Sequence, residues 1–194
     1  FQIFKVLLIL ETWTMNCTIF GMNMYKEMLH TAMQNSVDAV YCDMVMEETD
    51  KQSTLNYNSQ YSDHQLMYDC LAPINVVYFS VCNRLISRKI FDKYNLRATL
   101  GANMWEDVEL AVKIRYFTAR STVINKSFYH YNRMNISSTT HKDVMLRTIG
   151  QIERVKQIEE FFKNEKRINK PTILLLYSDL KNGKGKNWEF AKVK

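Results

Sequence analysis

The residues best placed to move a proton are Trp105-Glu106-Asp107, at the head of an apolar run of Val108, Leu110, Ala111, Val112, Ile114 and Phe117. Two adjacent carboxylates opening a helix can divide their roles. One is aimed into a cleft and the other anchors the backbone, which is how a general base is positioned. A sugar transfer that inverts the anomeric centre needs such a base, to take the proton of an acceptor hydroxyl as its oxygen attacks. Trp105 would offer an apolar wall to a sugar face. The same two acids also suit a structural task, because negative charge in a first turn complements the helix dipole and satisfies free N–H groups. Spacing alone leaves both readings open.

A second constellation is Tyr129-His130-Tyr131-Asn132-Arg133, followed by Asn135-Ile136-Ser137-Ser138. A histidine between tyrosines can bind a divalent metal or a phosphate, and Arg133 can clamp a diphosphate through its planar fork. An alternating strand with one buried face explains the same pattern without a ligand. His30, His64 and His141 have no Cys or His at ligand spacing, which argues against structural zinc. The five glycines form neither GxGxxG nor a Walker sequence, and no GxSxG elbow is present. Basic and aromatic residues interleave at Lys113-Ile114-Arg115-Tyr116-Phe117, but the helical apolar pattern assigns the aromatics to a core, which disfavours nucleic-acid binding.

These residues need elements to hold them. Residues 3–10 are rich in β-branched residues and Leu and suit a buried strand. Residues 23–35 predict a helix with Asn23 as cap and a face of Met24, Met28, Leu29, Ala32 and Met33. Val37 to Met46 predicts a strand, so strand, helix and strand form a βαβ unit of a parallel sheet. Residues 47–63 are polar and read as a loop, 65–71 as a helix ending before Pro73, and 78–91 as a second amphipathic segment. After a break at Gly101 comes the 105–117 helix, then a strand over 122–131. A helix over 145–165 follows, its stripe Leu146, Ile149, Ile152, Val155, Ile158 and Phe162, with Glu153, Arg154, Lys156, Glu159 and Glu160 off it. It reads as a docking helix, inside the monomer or across a dimer, so oligomeric state stays open.

A chain of 194 residues with 46% hydrophobic content supports one domain with a sizeable core. Cys17, Cys42, Cys70 and Cys82 are widely spaced and read as reduced, cytosolic thiols. The apolar stretch at residues 6–10 is too short for a signal core or a membrane span. The net charge of +6 lies in residues 163–194, which hold nine Lys/Arg against three acids, while the preceding residues hold seventeen of each sign. Such a tail suits an anionic membrane surface, a polyanionic glycan, a nucleic acid or plain solvation.

Four segments in order resemble one family. Asn23 to Leu29 with Asp38 to Asp43 is similar to the helix and strand that follow the metal motif in family 2 glycosyltransferases. Val81-Cys82-Asn83-Arg84-Leu85-Ile86-Ser87-Arg88 resembles that family's "W-N-K-L-Y-x-R" stretch, Trp105-Glu106-Asp107 its "E-D" motif, and Tyr129 to Arg133 with Ser137 its "Y-x-Y-R…S-x-S" segment. The likeness covers the C-terminal two-thirds of such a domain. It implies an α/β fold of the GT-A type, a mixed and mostly parallel sheet flanked by helices, over residues 1–144, with residues 145–194 as docking helix and basic tail.

By the same resemblance Asp107 is the general base with Glu106 beside it. Trp105 lines the acceptor or sugar pocket, and His130, Tyr131 and Arg133 lie near the diphosphate. It further implies a nucleotide-sugar donor, a glycan or lipid-linked acceptor, Mn²⁺ or Mg²⁺ on the diphosphate, and surface polysaccharide synthesis at the cytoplasmic face of the plasma membrane. The family's N-terminal "V-S-V-I-I-P-x-Y-N" strands and its Asp-x-Asp motif have no counterpart in these residues. A glycosyltransferase-like binding or assembly module without catalysis is therefore the rival expectation.

Overall fold

The computed structural model describes residues 4–5, 18–57, 77, 80–102, 104–135 and 144–163. The elements are β1 (Phe4–Lys5), β2 (Thr18–Phe20), α1 (Met24–Gln34), β3 (Ala39–Glu47), β4 (Gln52–Leu55), β5 (Arg84–Ser87), α2 (Arg88–Lys93), α3 (Glu106–Phe117), β6 (Ser121–Asn132) and α4 (Val144–Lys163). The strands form one sheet in the order β1-β5-β3-β6-β2, with β4 also paired to β3.

β3 is central because Ala-Val-Tyr-Cys-Asp-Met-Val offers apolar groups to both faces, the pattern of a strand covered on two sides. On one face Val40, Cys42, Leu85 and Phe128 receive Met24, Met28 and Ala32 of α1. On the other, Ala39, Tyr41, Met44, Ile86 and Tyr129 pack with apolar residues of α2, α3 and α4. The result is three layers, helix, sheet and helices.

The sheet is mixed, as expected, but among the described residues only β3–β6 is parallel, while β1–β5, β2–β6, β3–β4 and β3–β5 are antiparallel. The expectation of a mostly parallel sheet is corrected accordingly. β1 and β3 do run the same way, as a helical crossover requires, but β5 lies between them and opposes both.

Four local expectations also change. The polar segment after residue 47 holds β4, an edge strand that turns back at Glu48–Lys51 and pairs Gln52–Leu55 with Met44–Glu47. Gln52, Ser53 and Thr54 are exposed, so no apolar alternation betrays it. The amphipathic segment ending at Phe91 divides at Ser87 into strand β5 and helix α2. Leu29 and Met33 of α1 are exposed, at 39% and 63%, because the helix meets the sheet along the narrow 24/28/32 ridge alone. Asn23 adopts a left-handed conformation (φ 70°) and its side chain makes no capping bond.

The expected helix at 65–71 and the 164–194 tail lie outside the described residues, as do most of the 3–10 strand and the cysteines at 17 and 70. Among the described residues no helix is long and apolar enough to cross a membrane.

Candidate active site

α3 begins where Gly101 (φ 76°) turns the chain and Trp105 adopts a left-handed conformation, φ 61°. A bulky residue with positive φ is uncommon and costs conformational energy, so surrounding contacts must hold it. The Trp105 carbonyl accepts the N–H of Glu109 at 3.0 Å and starts the helix, while its ring packs against the core beneath α3. Glu106 and Asp107 follow in the first turn, both partly buried.

Asp107 Oδ1 accepts the Val108 N–H at 2.8 Å. Burial raises its carboxyl from the ordinary 3.8 to about 7; the neighbouring Glu106 charge adds to that rise, and the Val108 N–H and Arg84 oppose it. Burial also raises Glu106, against the pull of its own backbone N–H and of Arg154. No ion pair reaches either carboxylate among the described residues. A carboxyl poised near neutral pH is suited to general-base work.

The turn before β5 supplies the opposite wall. Asn83 is fully buried and its side-chain amide donates to the carbonyls of Cys42 and Val77, both at 2.9 Å, while its backbone carbonyl accepts the Cys42 N–H at 3.0 Å. Residues 80–84 are thereby fixed to the central strand. Cys82 N–H bonds Ser80 Oγ at 3.2 Å. Burial pushes the Cys82 thiol up, a Tyr129 hydrogen bond opposes this, and the Asp107 charge adds to it. The Arg84 guanidinium lies 5.1 Å from the Tyr41 ring centre, and that ring stacks on Tyr57 at 4.4 Å. Asp43 is committed to the Tyr57 N–H at 2.7 Å.

Tyr129 reaches this site through an irregularity in the parallel ladder. Asp43 pairs with Ser127 and Met44 with Tyr129, with register shifts on both sides of Asp43. Such shifts re-aim side chains. Phe128 thus joins the α1 face and Tyr129 the α3 face.

The structure brings Trp105, Glu106 and Asp107 together and puts Tyr131 on the same sheet face. His130 alternates to the other face, where Nδ1 meets Glu47 Oε1 at 2.6 Å; that hydrogen bond is the main reason the Glu47 carboxyl lies below its ordinary value. Arg133 bonds Glu48 Oε1 at 2.9 Å. Among the described residues no group of three or more His, Cys, Asp or Glu could hold a metal ion. The Mn²⁺ or Mg²⁺ of the resemblance finds no ligand set there.

Sequence reasoning missed Cys82 and Arg84 as neighbours of Asp107, Tyr129 as the partner of Cys82, and Asn83 as the residue that fixes the wall. The run Val81 to Arg88 stood out in the sequence, but no periodicity shows that one residue of it anchors the rest.

No protein-family model matches the sequence, and no curated protein matches it. Solved structures do. TarS 1-349 of S. aureus in complex with UDP-GlcNAc superimposes on 91% of this chain with a TM-score of 0.66 at 12% identity, and the same protein in complex with UDP superimposes on 91% with a TM-score of 0.58 at 13% identity. The chain spans about half the length of those chains, 50% and 48%. At such identity the likeness is one of fold, and the fold is glycosyltransferase-like.

Proposed function

We propose that this chain is an inverting glycosyltransferase domain of the family 2 type, which uses a nucleotide-sugar donor and Asp107 as general base. The observation that carries the reading is the Asp107 carboxyl, partly buried without an ionic partner and raised to about 7, at the head of α3. The glycosyltransferase-like fold supports it, as does a neighbour of that fold with UDP-GlcNAc bound.

In the proposed step an acceptor hydroxyl oxygen attacks the anomeric carbon as its proton passes to an Asp107 oxygen. The new C–O bond forms while the bond from that carbon to the diphosphate oxygen breaks, and the nucleoside diphosphate leaves with the electron pair. One displacement inverts the centre. A base near the working pH is ionised often enough to act and basic enough to take the proton. Glu106 holds a second negative charge beside it, and Trp105 forms the apolar wall of the acceptor or sugar pocket. His130, Tyr131 and Arg133 are assigned to the diphosphate end. For His130 and Arg133 this requires exchanging Glu47 and Glu48 for the ligand. A divalent ion, when bound, would neutralise charge on the diphosphate. The acceptor is proposed as a glycan or lipid-linked glycan of surface polysaccharide synthesis at the cytoplasmic membrane face.

The test is a thermal-shift screen of the purified chain against UDP-, GDP- and dTDP-sugars, with and without Mn²⁺. Ligand at about a hundred times its dissociation constant adds roughly 2.7 kcal/mol of stability. A shift with one nucleotide supports the donor site and names its base. Unchanged melting with every nucleotide overturns the enzyme reading in favour of the non-catalytic module.

A further inference from the structure

The surface of α4 that meets α3 contains a charge. Arg154 lies four residues before Ile158 and eight before Phe162, so it belongs to the buried stripe and not to the exposed face where the sequence seemed to put it. It is only 5% exposed, and its Nε and Nη1 have no hydrogen-bond partner among the described residues. A guanidinium buried that deeply needs negative charge nearby.

The nearest buried carboxylate is already taken. Glu109, 2% exposed, gives one oxygen to Lys113 Nζ and the other to Thr99 Oγ1 at 2.8 Å. Arg154 Nη1 approaches that second oxygen only to 3.7 Å, and Nη2 stands 3.6 Å from the exposed Glu153. Glu106, Glu109 and Lys113 follow the i, i+3, i+7 ridge of α3, so the next negative group along the ridge toward its start is Glu106.

α4 runs beside α3 in the same direction. A Cβ on Gly150 would come within 3.1 Å of Met104 Cβ, just ahead of Trp105, and Phe162 meets Tyr116 near the far end, with ring centres 5.4 Å apart. Arg154, one turn beyond Gly150, is thus level with the first turns of α3.

We propose that Arg154 is a positioning residue for the Glu106–Asp107 pair: its buried guanidinium, applied from α4, holds Glu106 as the carboxylate that keeps Asp107 a competent base. This rests on the reading of Asp107 as base, and it makes α4 part of the catalytic apparatus. Among the described residues, the charged and titratable groups around the pair are Arg154 from α4 and Arg84 and Cys82 from the β5 side, with Glu109, Lys113 and Glu153 grouped around Arg154.

The experiment is a ¹³C NMR titration of the Glu106 and Asp107 carboxyls in the full chain, wild type against Arg154→Met and Arg154→Lys, with the pH profile of kcat/KM alongside. In Arg154→Met the Glu106 midpoint rises. Asp107, relieved of an ionised neighbour, titrates lower, and the acid limb of kcat/KM moves to lower pH with a lower plateau. Arg154→Lys restores both midpoints toward wild type. A folded Arg154→Met protein in which neither midpoint moves overturns the proposal. If Arg154→Met fails to fold, Arg154→Gln decides: loss of the guanidinium charge raises the Glu106 midpoint, and an unmoved midpoint overturns the proposal. The titration needs no sugar, so its failure leaves Asp107 as base. Full transfer by Asp107→Asn would remove the base and leave the coupling of Arg154 to Glu106 measurable.

Discussion

Two pairs of adjacent acids face different circumstances in this molecule. Glu47 ends β3 and Glu48 follows it, and each has a partner: His130 Nδ1 at 2.6 Å and Arg133 Nη1 at 2.9 Å. Glu106 and Asp107 begin α3 partly buried, with no ion pair among the described residues. The first arrangement lowers the Glu47 carboxyl, and the second raises both of its members. A carboxylate bonded to a side chain of the next strand ties two strands together; one buried beside another negative charge retains the appetite for a proton that a base requires.

The largest effect expected along this contrast is on catalysis. Asp107→Asn should reduce transfer by a factor on the order of 10²–10⁴, as read in an assay with the donor found by the thermal screen. The same variant should gain stability. A carboxyl raised in the folded state binds more protons there than in the unfolded chain, so wild type loses stability as pH rises from about 4 to about 7. Above that window Asp107→Asn should exceed wild type by on the order of 1–4 kcal/mol in chemical denaturation. Equal stability at pH 8 would mean the carboxyl is not raised.

Glu109 sharpens the comparison, being as buried as a core residue yet paired. Glu109→Ala leaves Lys113 and Arg154 without their common partner and should cost about 3–5 kcal/mol, seen as a loss of urea resistance at pH 7. Asn83→Ala removes two buried bonds from the wall opposite Asp107 and should cost roughly 1–3 kcal/mol, with transfer falling further than stability if that wall positions substrate.

The smallest effect belongs to the paired acids. Glu47→Gln should destabilise slightly at neutral pH, and the difference should vanish as acid protonates the wild-type carboxylate, because a lowered carboxyl contributes stability above its ordinary pKa and loses it below. A melting series from pH 3 to 7 gives the sign, opposite to that of Asp107→Asn.

The sequence made the two-faced burial of β3 legible, since its residues are apolar in both alternations, and it marked the start of α3, where an apolar run follows two acids. It hid β4, whose side chains face water and whose pairing is carried by backbone alone. It also hid the break at Ser87, where a helix follows a strand without a turn residue between them. Arg154 was misjudged because a basic residue is normally placed in water by type; only its i, i+4 relation to Ile158 marks it as buried. The shift at Asp43 that sends Tyr129 to one face and Phe128 to the other arises from pairing between strands distant in sequence, which no local pattern records.

The most direct test of the central claim is the ¹³Cγ titration of Asp107 in the wild-type chain, its signal assigned by its absence from Asp107→Asn. A midpoint near 7 is the result expected of a partly buried carboxyl beside an ionised Glu106. A midpoint near 4, the ordinary aspartate value, would contradict it and return the pair to the structural task of capping a helix.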